Sequence, residues 1–332
     1  MNLTQIIKEK ILILDGAMGT MIQKHQLGEN DFRGERFRNF HLPLKGNNDL
    51  LSITQPEIIK NIHLEYLKAG ADIIETNTFN ANQISMSDYD MVDWVEELNS
   101  ASVRLALEAA HEITIQNPEK PRFVAGAVGP TNRTVSISPK VNDPGFRNID
   151  FDELVETYQK QAETLLKSGV HAILVETIFD TLNAKAAFFG IMNAVENTGI
   201  EVPLMASGTI TDKSGRTLSG QTTEAFLISL SHVPLFSIGL NCALGAKDLI
   251  SYLKILSENS PFYVSVYPNA GLPNAFGGYD ETPEIMLENI KPFLENKLIN
   301  IIGGCCGTTP KHIHLIAEYT QNFEPRKIPQ FL

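Results

Sequence analysis

The stretch AILVETIFD, residues 172–180, is a short apolar run that closes on polar side chains. Runs of this kind occur eight times along the 332 residues. Near-continuous apolar runs of this length are typical of strands that are buried on both faces, as in a parallel sheet. The eight predicted strands are residues 11–16, 72–79, 123–131, 172–180, 203–210, 237–242, 262–271 and 299–308.

Helical patterns lie between these runs. Residues 54–70 begin with Thr54 as the expected N-cap, carry Pro56 in the first turn and end on Gly70. Residues 151–169 follow the same scheme and also end on a glycine. The chain therefore alternates between predicted strands and predicted helices along most of its length.

Eight strand–helix alternations favour a single-domain α/β fold, the (β/α)8 TIM barrel, over an open doubly wound sheet. Hydrophobic residues make up 43% of the chain, which is enough for a sizeable core. We expect the barrel to span residues 1–321. Residues 322–332 contain two prolines, and we expect them to form an extended exit segment.

The charge balance limits the classes of partner. The 39 Asp and Glu residues outnumber the 27 Lys and Arg residues, and the net charge of −12 argues against a nucleic-acid surface. No apolar run approaches the roughly 18 residues that cross a membrane, and residues 1–20 lack the layout of a signal peptide. We therefore expect a cytoplasmic protein whose three cysteines stay reduced.

In (β/α)8 barrels, active sites form at the carboxyl ends of the strands. Those ends carry polar or reactive side chains in this sequence. Strand ends also need turn residues, so each of these side chains has an ordinary explanation by itself, but their joint presence on one rim indicates a functional site. The rim residues are Asp15, Glu75, Asn77, Gly129, Glu176, Ser207, Cys242, Asn269, Cys305 and Cys306.

All three cysteines, Cys242, Cys305 and Cys306, fall on this rim. Free cysteines are most often small buried hydrophobic residues, and that explanation stays open. The functional alternative is one Zn²⁺ held by three thiolates with an open fourth position, as catalytic zinc sites have. The glycines of GGCCG, residues 303–307, allow the sharp turn that adjacent side chains need to converge on one ion.

Such a ligand set suits one kind of chemistry. Three thiolates place three negative charges around a dication, so the metal is a weak electrophile. A substrate thiol at the open position would still lose its proton and would remain nucleophilic. A free thiol, with a pKa of about 8.5, is mostly protonated at neutral pH. The predicted site therefore suits the alkylation of a thiol.

The stretch DGAMGT follows the first predicted strand, and the amides of Gly16, Ala17 and Met18 can form an anion-binding turn. Asp15 and Glu176 lie on the same rim. Together these groups predict an amino-acid site, in which the amides bind the carboxylate and the acids bind the ammonium group. Turn capping by Asp15 and a structural salt bridge of Glu176 remain the alternatives.

Eight stretches carry a family resemblance: LDGAMGTMIQ, GADIIETNTFNAN, GAVGPTNRT, ILVETIFDTLNAKAA, SGTITDKSGRTLSGQT, GLNCALG, YPNAGLPNAFGGYDETP and IIGGCCGTTPKHI. Together they resemble the homocysteine-binding domain of cobalamin-dependent methionine synthase, within the wider homocysteine S-methyltransferase family. The resemblance implies a zinc-bearing (β/α)8 barrel in which Cys242, Cys305 and Cys306 are the zinc ligands.

The resemblance also implies the substrate contacts. Asp15 and Glu176 would hold the amino group of homocysteine, and the Gly16–Met18 amides would hold its carboxylate. Asn269 is expected beside the open zinc position. Further candidates on the rim are Glu75, Asn77 and Ser207.

By this resemblance the chain is a zinc-dependent homocysteine S-methyltransferase that activates homocysteine as a zinc-bound thiolate and forms methionine. The chain shows no cobalamin or folate site, so methylcobalamin, the expected methyl donor, would be carried by a partner module or subunit. Full methionine synthases of this type continue into further modules, so we expect an excised fragment or a naturally split subunit. One alternative is a stand-alone enzyme that uses S-methylmethionine or a betaine. Another is a non-catalytic zinc-binding module with a fourth protein ligand on the metal.

Overall fold

The computed structural model describes residues 2–211, 214–274 and 277–330. Its strands are β1 (Leu12–Ile13), β2 (Ile73–Glu75), β3 (Phe123–Val128), β4 (Ala172–Ile178), β5 (Leu204–Gly208), β6 (Leu235–Gly245), β7 (Tyr263–Asn269) and β8 (Ile301–Ile302). They form one parallel sheet in the order β1-β8-β7-β6-β5-β4-β3-β2. All eight predicted strands are confirmed.

The sheet closes between β1 and β2, the two strands at its ends. Leu14 and Ile73 form a parallel bridge. The amide of Asp15 donates to the Ile73 carbonyl at 3.0 Å, and the amide of Asp72 donates to the Ile13 carbonyl at 2.7 Å. Because closure pairs the edge strands with each other, the fold is the predicted single-domain (β/α)8 barrel.

Helices surround the barrel. The described residues contain α1 (Leu3–Ile6), α2 (Met18–Lys24), α3 (Glu29–Arg33), α4 (Leu51–Thr54), α5 (Pro56–Ala69), α6 (Gln83–Ser87), α7 (Val95–Gln116), α8 (Phe151–Ser168), α9 (Thr181–Thr198), α10 (Thr223–Leu230), α11 (Ala246–Asn259), α12 (Pro283–Glu295) and α13 (Pro310–Thr320). Helix α8 confirms the helix predicted over residues 151–169. No helix in the described ranges is long and apolar enough to cross a membrane.

The start of α5 differs from the prediction. Thr54 is not its N-cap, because Thr54 ends the short helix α4 and the N-cap of α5 is Gln55. Pro56 takes the first helical position, where its fixed φ favours helix initiation and its missing N–H is not needed. Gly70 ends the helix as predicted, with φ +116°, a conformation that favours glycine.

The apolar core has two parts, which share the strands. The larger part fills the space between the strands and the helices. The smaller part fills the barrel lumen, where α1 adds Leu3 and Ile6, and its C-cap Ile7, at the amino-terminal end of the strands. The other lumen residues are Leu12, Leu14, Ile73, Phe123, Ala125, Ala172, Leu174, Met205, Tyr267 and Ile301.

The lumen side of the strands changes from apolar to polar residues towards the carboxyl ends of the strands. Side chains two residues apart on a strand point to the same face. Glu75 therefore follows Ile73 on the lumen side of β2, and Glu176 follows Leu174 on the lumen side of β4. The upper end of the lumen, at the carboxyl ends of the strands, is consequently a polar mouth above an apolar plug.

The chain leaves the barrel after α13 through residues 324–330, which have no regular secondary structure. Arg326 is only 4% exposed, and its guanidinium donates to three backbone carbonyl oxygens at 2.7–3.0 Å. These bonds dock the segment against the barrel. We propose residues 1–321 as the barrel domain and 322–332 as its exit segment, of which residues 331–332 lie outside the described ranges.

Candidate metal centre and substrate pocket

The three cysteines meet at the mouth of the barrel. The sulfur atoms of Cys242, Cys305 and Cys306 all lie within 4.8 Å of one another, and each residue is half-buried. Cys242 is part of β6, whereas Cys305 and Cys306 lie in the turn that follows β8. The prediction that the doublet lies in a turn is therefore confirmed.

An unusual backbone conformation directs Cys242 to the other two cysteines. Its φ is +59°, and that of Ala243 is +53°. Residues with a Cβ rarely adopt this left-handed region, and such strain persists where the surrounding structure enforces it. The register between β6 and β7 shifts between Asn241 and Gly245. The bend lets β6 present a thiol to the β8 turn, although β7 lies between the two strands.

Two glycines shape the turn that carries the doublet. A Cβ on Gly303 would lie 2.8 Å from the Asp15 carbonyl oxygen, which is too close for any side chain. Gly307 has φ +81°, and a Cβ there would lie 2.3 Å from the Cβ of Tyr279. Close backbone approach on both sides thus holds the turn in place, as the glycines of GGCCG predict.

Two of the three thiols, those of Cys305 and Cys306, have pKa values that are shifted in opposite directions. Hydrogen bonds from Cys242 and Cys305 lower the pKa of the Cys306 thiol to about 3. Hydrogen bonding to Cys242 and Cys306, together with burial, raises the pKa of Cys305 well above its usual range. One sulfur is therefore a thiolate at neutral pH, and a dication can displace the remaining protons. A set of three free sulfurs this close together fits Zn²⁺, which binds thiolates at about 2.3 Å.

Three carboxyl groups lie in the same mouth. Asp15 and Glu176 are buried and Glu75 is half-buried. The amide of Glu75 donates to Asp15 Oδ2 at 3.0 Å. In the described part of the chain, none of the three carboxyl groups forms an ion pair with a basic side chain.

Burial and mutual repulsion make these carboxyl groups weak acids. Burial raises the pKa of Glu75 to about 7. Burial, and then repulsion from Glu75, raises the pKa of both Asp15 and Glu176 well above the usual range. Three carboxyl groups that have no basic partner among the described residues form a site that a bound cation stabilises. The structural salt bridge considered for Glu176 is absent from the described residues.

The loop before α2 is held by contacts to the β8 side of the mouth. The Ala17 amide donates to Thr308 Oγ1 at 3.2 Å, so in this structure it already has an acceptor. The Tyr66 hydroxyl donates to the Ala17 carbonyl at 3.1 Å. A Cβ on Gly16 would lie 2.8 Å from both side chains, so only glycine allows this approach. Met18 begins α2.

The other rim candidates separate into two groups. Asn269 is buried, and its Oδ1 has no hydrogen-bond partner. Its neighbours in sequence bind the cysteine doublet, since the Cys305 amide donates to the Pro268 carbonyl at 2.8 Å. Asn77 instead donates to the Asn48 carbonyl at 2.8 Å and so bonds away from the cysteines.

Two further polar residues of the mouth, Asn241 and Tyr267, were missed by the sequence analysis, and Ser207 contacts the first of them. Its hydroxyl donates to Asn241 Oδ1 at 2.7 Å, and both side chains are fully buried in the mouth. Tyr267, two residues before Asn269 on β7, is also buried in the mouth, and its hydroxyl has no hydrogen-bond partner. The period of two along β7 could have indicated Tyr267, and the position directly before Cys242 could have indicated Asn241.

Comparison with known proteins adds a family and a fold. The family model described as homocysteine S-methyltransferase matches residues 12–320. The homocysteine methyltransferase MmuM from Escherichia coli, in its metallated form, is similar in structure with a TM-score of 0.71 and 22% identity, over 96% of this chain and 99% of that chain. Its oxidized form gives a TM-score of 0.74 and 21% identity, over 95% of this chain and 97% of that chain. At these identities the structures support the fold.

Proposed function

This chain belongs to the homocysteine S-methyltransferase family, and we propose that it transfers a methyl group to homocysteine at a zinc site formed by Cys242, Cys305 and Cys306. The observation that carries the proposal is the pairing of two unlike clusters in one mouth. Three sulfurs lie within 4.8 Å of one another, and the same mouth holds three carboxyl groups that have no ion-pair partner within the described ranges. Homocysteine has a thiol at one end and an ammonium group at the other.

The cysteines would hold Zn²⁺, which supplies a Lewis acid that lowers the pKa of a bound thiol. The protein's own part is to keep the three sulfurs together on a strained strand end and a glycine turn. Asn269 lies beside the doublet with an unpartnered Oδ1, so we propose it as the polar neighbour of the open metal position. The three free thiols also suit a reducing compartment, and we propose the cytoplasm.

The carboxyl groups would hold the other end of the substrate. Asp15 and Glu176, helped by Glu75, would bind the ammonium group, which supplies the positive charge that the mouth lacks. The Gly16–Met18 backbone would bind the substrate carboxylate through its amides, of which the Ala17 amide would first be released by Thr308. Fixing both ends orients the sulfur towards the methyl donor and reduces the entropy cost of the transfer.

We propose methylcobalamin, carried by a partner module or subunit, as the methyl donor, from the resemblance to cobalamin-dependent methionine synthase. In the transfer, the homocysteine sulfur attacks the methyl carbon and a carbon–sulfur bond forms. The cobalt–carbon bond of the donor would break, and its electron pair would remain with the demethylated donor on the partner. The thiol proton goes to solvent, and methionine leaves.

The first test mixes protein, homocysteine and free methylcobalamin without oxygen, with zinc-loaded and zinc-stripped protein in parallel. Methionine and cob(I)alamin should appear together and only with zinc. Turnover with S-methylmethionine or a betaine, and none with methylcobalamin, would replace the proposed donor and keep the methyltransferase. If no donor is used, and the metal shows a fourth protein ligand that homocysteine does not displace, the chain is a zinc-binding module and the proposal is wrong.

A further inference from the structure

The Asn241 side chain has four polar contacts in the mouth, and no step of the proposed reaction uses it. It is fully buried and directly precedes Cys242. Its Oδ1 accepts from Ser207 Oγ at 2.7 Å and from the Thr177 amide at 3.1 Å. Its Nδ2 donates to Thr177 Oγ1 at 2.9 Å and faces Cys305 Sγ at 3.9 Å.

These partners fix the orientation of the amide. A backbone N–H can only donate, so the Asn241 atom that faces the Thr177 amide must be the oxygen. The nitrogen must then point to the hydroxyl of Thr177 and to the sulfur of Cys305. One side chain therefore connects β4, β5 and the cysteine turn after β8.

Thr177 explains why such a connection is needed. It is a β-branched residue with φ +55°, and the register between β4 and β5 breaks between Val175 and Ile178. A β-branched residue in this region is strained, and the strain persists only where neighbouring groups hold it. Asn241 bonds both the amide and the hydroxyl of Thr177. Because Glu176 directly precedes Thr177, the same two bonds fix the backbone that carries the Glu176 carboxyl group.

We infer that Asn241 is a positioning residue that sets the span between the thiol-binding and ammonium-binding ends of the pocket, and thereby selects homocysteine over shorter amino thiols. This inference rests on the proposed function. A substrate held at both ends must match a fixed distance, and cysteine is one methylene shorter. Rigid sites discriminate one methylene by roughly 10- to 200-fold, and a loosened span loses that discrimination.

The test measures thiol binding without any methyl donor. Zinc is replaced by Co²⁺ in the full chain, and the cobalt absorption is titrated with homocysteine, cysteine and 1-propanethiol. The wild type should prefer homocysteine over cysteine, whereas Asn241→Ala should lower that preference by at least about fivefold. The affinity for 1-propanethiol, which has no ammonium group to place, should change by less than about twofold.

The chain offers a matched control. Asn300 is equally buried and hydrogen-bonded, to the Val264 amide at 3.0 Å and the Arg326 carbonyl at 2.8 Å, but it lies at the opposite end of the barrel. Asn300→Ala should leave the preference between the two amino thiols unchanged. A loss of preference in both variants would indicate general loosening and would overturn the inference.

A second pair of variants covers the case in which Asn241→Ala does not fold. Thr177→Ala removes the hydroxyl that accepts from Asn241 and should weaken the preference, while Thr177→Ser retains the hydroxyl and should restore it. An unchanged preference in Thr177→Ala, with a selective wild type, overturns the inference and leaves the proposed function standing. If homocysteine does not change the cobalt absorption of the wild-type protein, the proposed function is wrong and the inference falls with it.

Discussion

The two ends of this barrel both carry buried carboxyl groups, but among the described residues basic side chains pair with them at one end only. At the amino-terminal end, Asp72 is 1% exposed and accepts from Lys10 Nζ at 2.7 Å. Lys120 Nζ and Arg122 Nη1 lie 3.7 and 3.6 Å from the same oxygen. The second oxygen of Asp72 accepts from the Ile13 amide at 3.0 Å.

At the carboxyl-terminal end, Asp15, Glu75 and Glu176 share the mouth without a basic side chain in ion-pair contact among the described residues. A buried charge that is paired within the chain stabilises the fold once it has formed. A buried charge that is left unpaired costs free energy until a ligand pairs it. This difference supports a structural role for the lower end and the proposed substrate-binding role for the upper end.

The largest effect should come from the metal half of the mouth. Cys306→Ala removes one of three thiolates, so we expect zinc-dependent methylation to fall by more than about 100-fold, since changes even outside the first ligand shell cost 10–100-fold. Activity and bound zinc are measured together, with circular dichroism to show that the barrel is intact. Normal turnover by zinc-loaded Cys306→Ala protein would show that Cys306 is not a required zinc ligand.

The lower end should respond in stability and not in substrate binding. Asp72→Asn leaves three cations without their carboxylate, and we expect the free energy of unfolding to fall by about 2–3 kcal/mol, because both lysines of the cluster are partly exposed. The KM for homocysteine should stay within about twofold. Glu288→Gln breaks an exposed pair with Lys291 and should cost less than about 0.5 kcal/mol. A raised KM for homocysteine in Asp72→Asn would contradict the proposal that the lower end affects stability alone.

The upper end should respond in substrate binding and not in stability. Glu176→Gln keeps the shape and removes the carboxyl group that a bound ammonium group would hold in its ionised form. We therefore expect the KM for homocysteine to rise by about 10- to 100-fold, the worth of a hydrogen bond to a charged group. Asn77→Ser changes a rim residue that bonds away from the cysteines and should leave the KM unchanged. If Glu176→Gln lowers stability and leaves homocysteine binding unchanged, the role of Glu176 is structural.

The smallest effect is a pH dependence. The pKa of Glu75 is about 7 in the folded protein, and only the ionised form attracts an ammonium group. Affinity for homocysteine should therefore weaken below pH 7, by up to about tenfold per pH unit for one proton. Because this pKa is raised by folding, the ligand-free protein should lose stability as the pH rises towards 7.

Glu75→Gln provides the control for both slopes. It removes the titrating group, so the dependence of affinity and of stability on pH should flatten in this window. Zinc is kept saturating in the binding titrations, because the cysteines titrate as well. Slopes that are the same in Glu75→Gln and in the wild type would assign the pH dependence to other groups.

Much of the fold followed from local patterns. The eight apolar runs predicted the strands, and glycines predicted the ends of α5 and α8, because burial on both faces and left-handed helix ends leave direct marks on residue type. Thr54 was misplaced because a second short helix precedes α5, and cap patterns do not show which of two adjacent helices a residue belongs to. The rim could be predicted since strand ends of a barrel share one face.

The sequence alone determined the strand count, the turn beneath Cys305 and Cys306, and the set of residues on the rim, because each depends on neighbours in the chain. Tertiary structure decided which rim residues act together. It turned Cys242 towards the doublet through a left-handed bend, turned Asn77 towards the Asn48 carbonyl, and placed Asn241 between Thr177 and Cys305. It also placed three basic side chains beside Asp72, whereas no basic side chain of the described residues forms an ion pair with Glu176. Such outcomes depend on packing between distant segments, where side-chain direction and counter-ions are set by contacts that no local pattern contains.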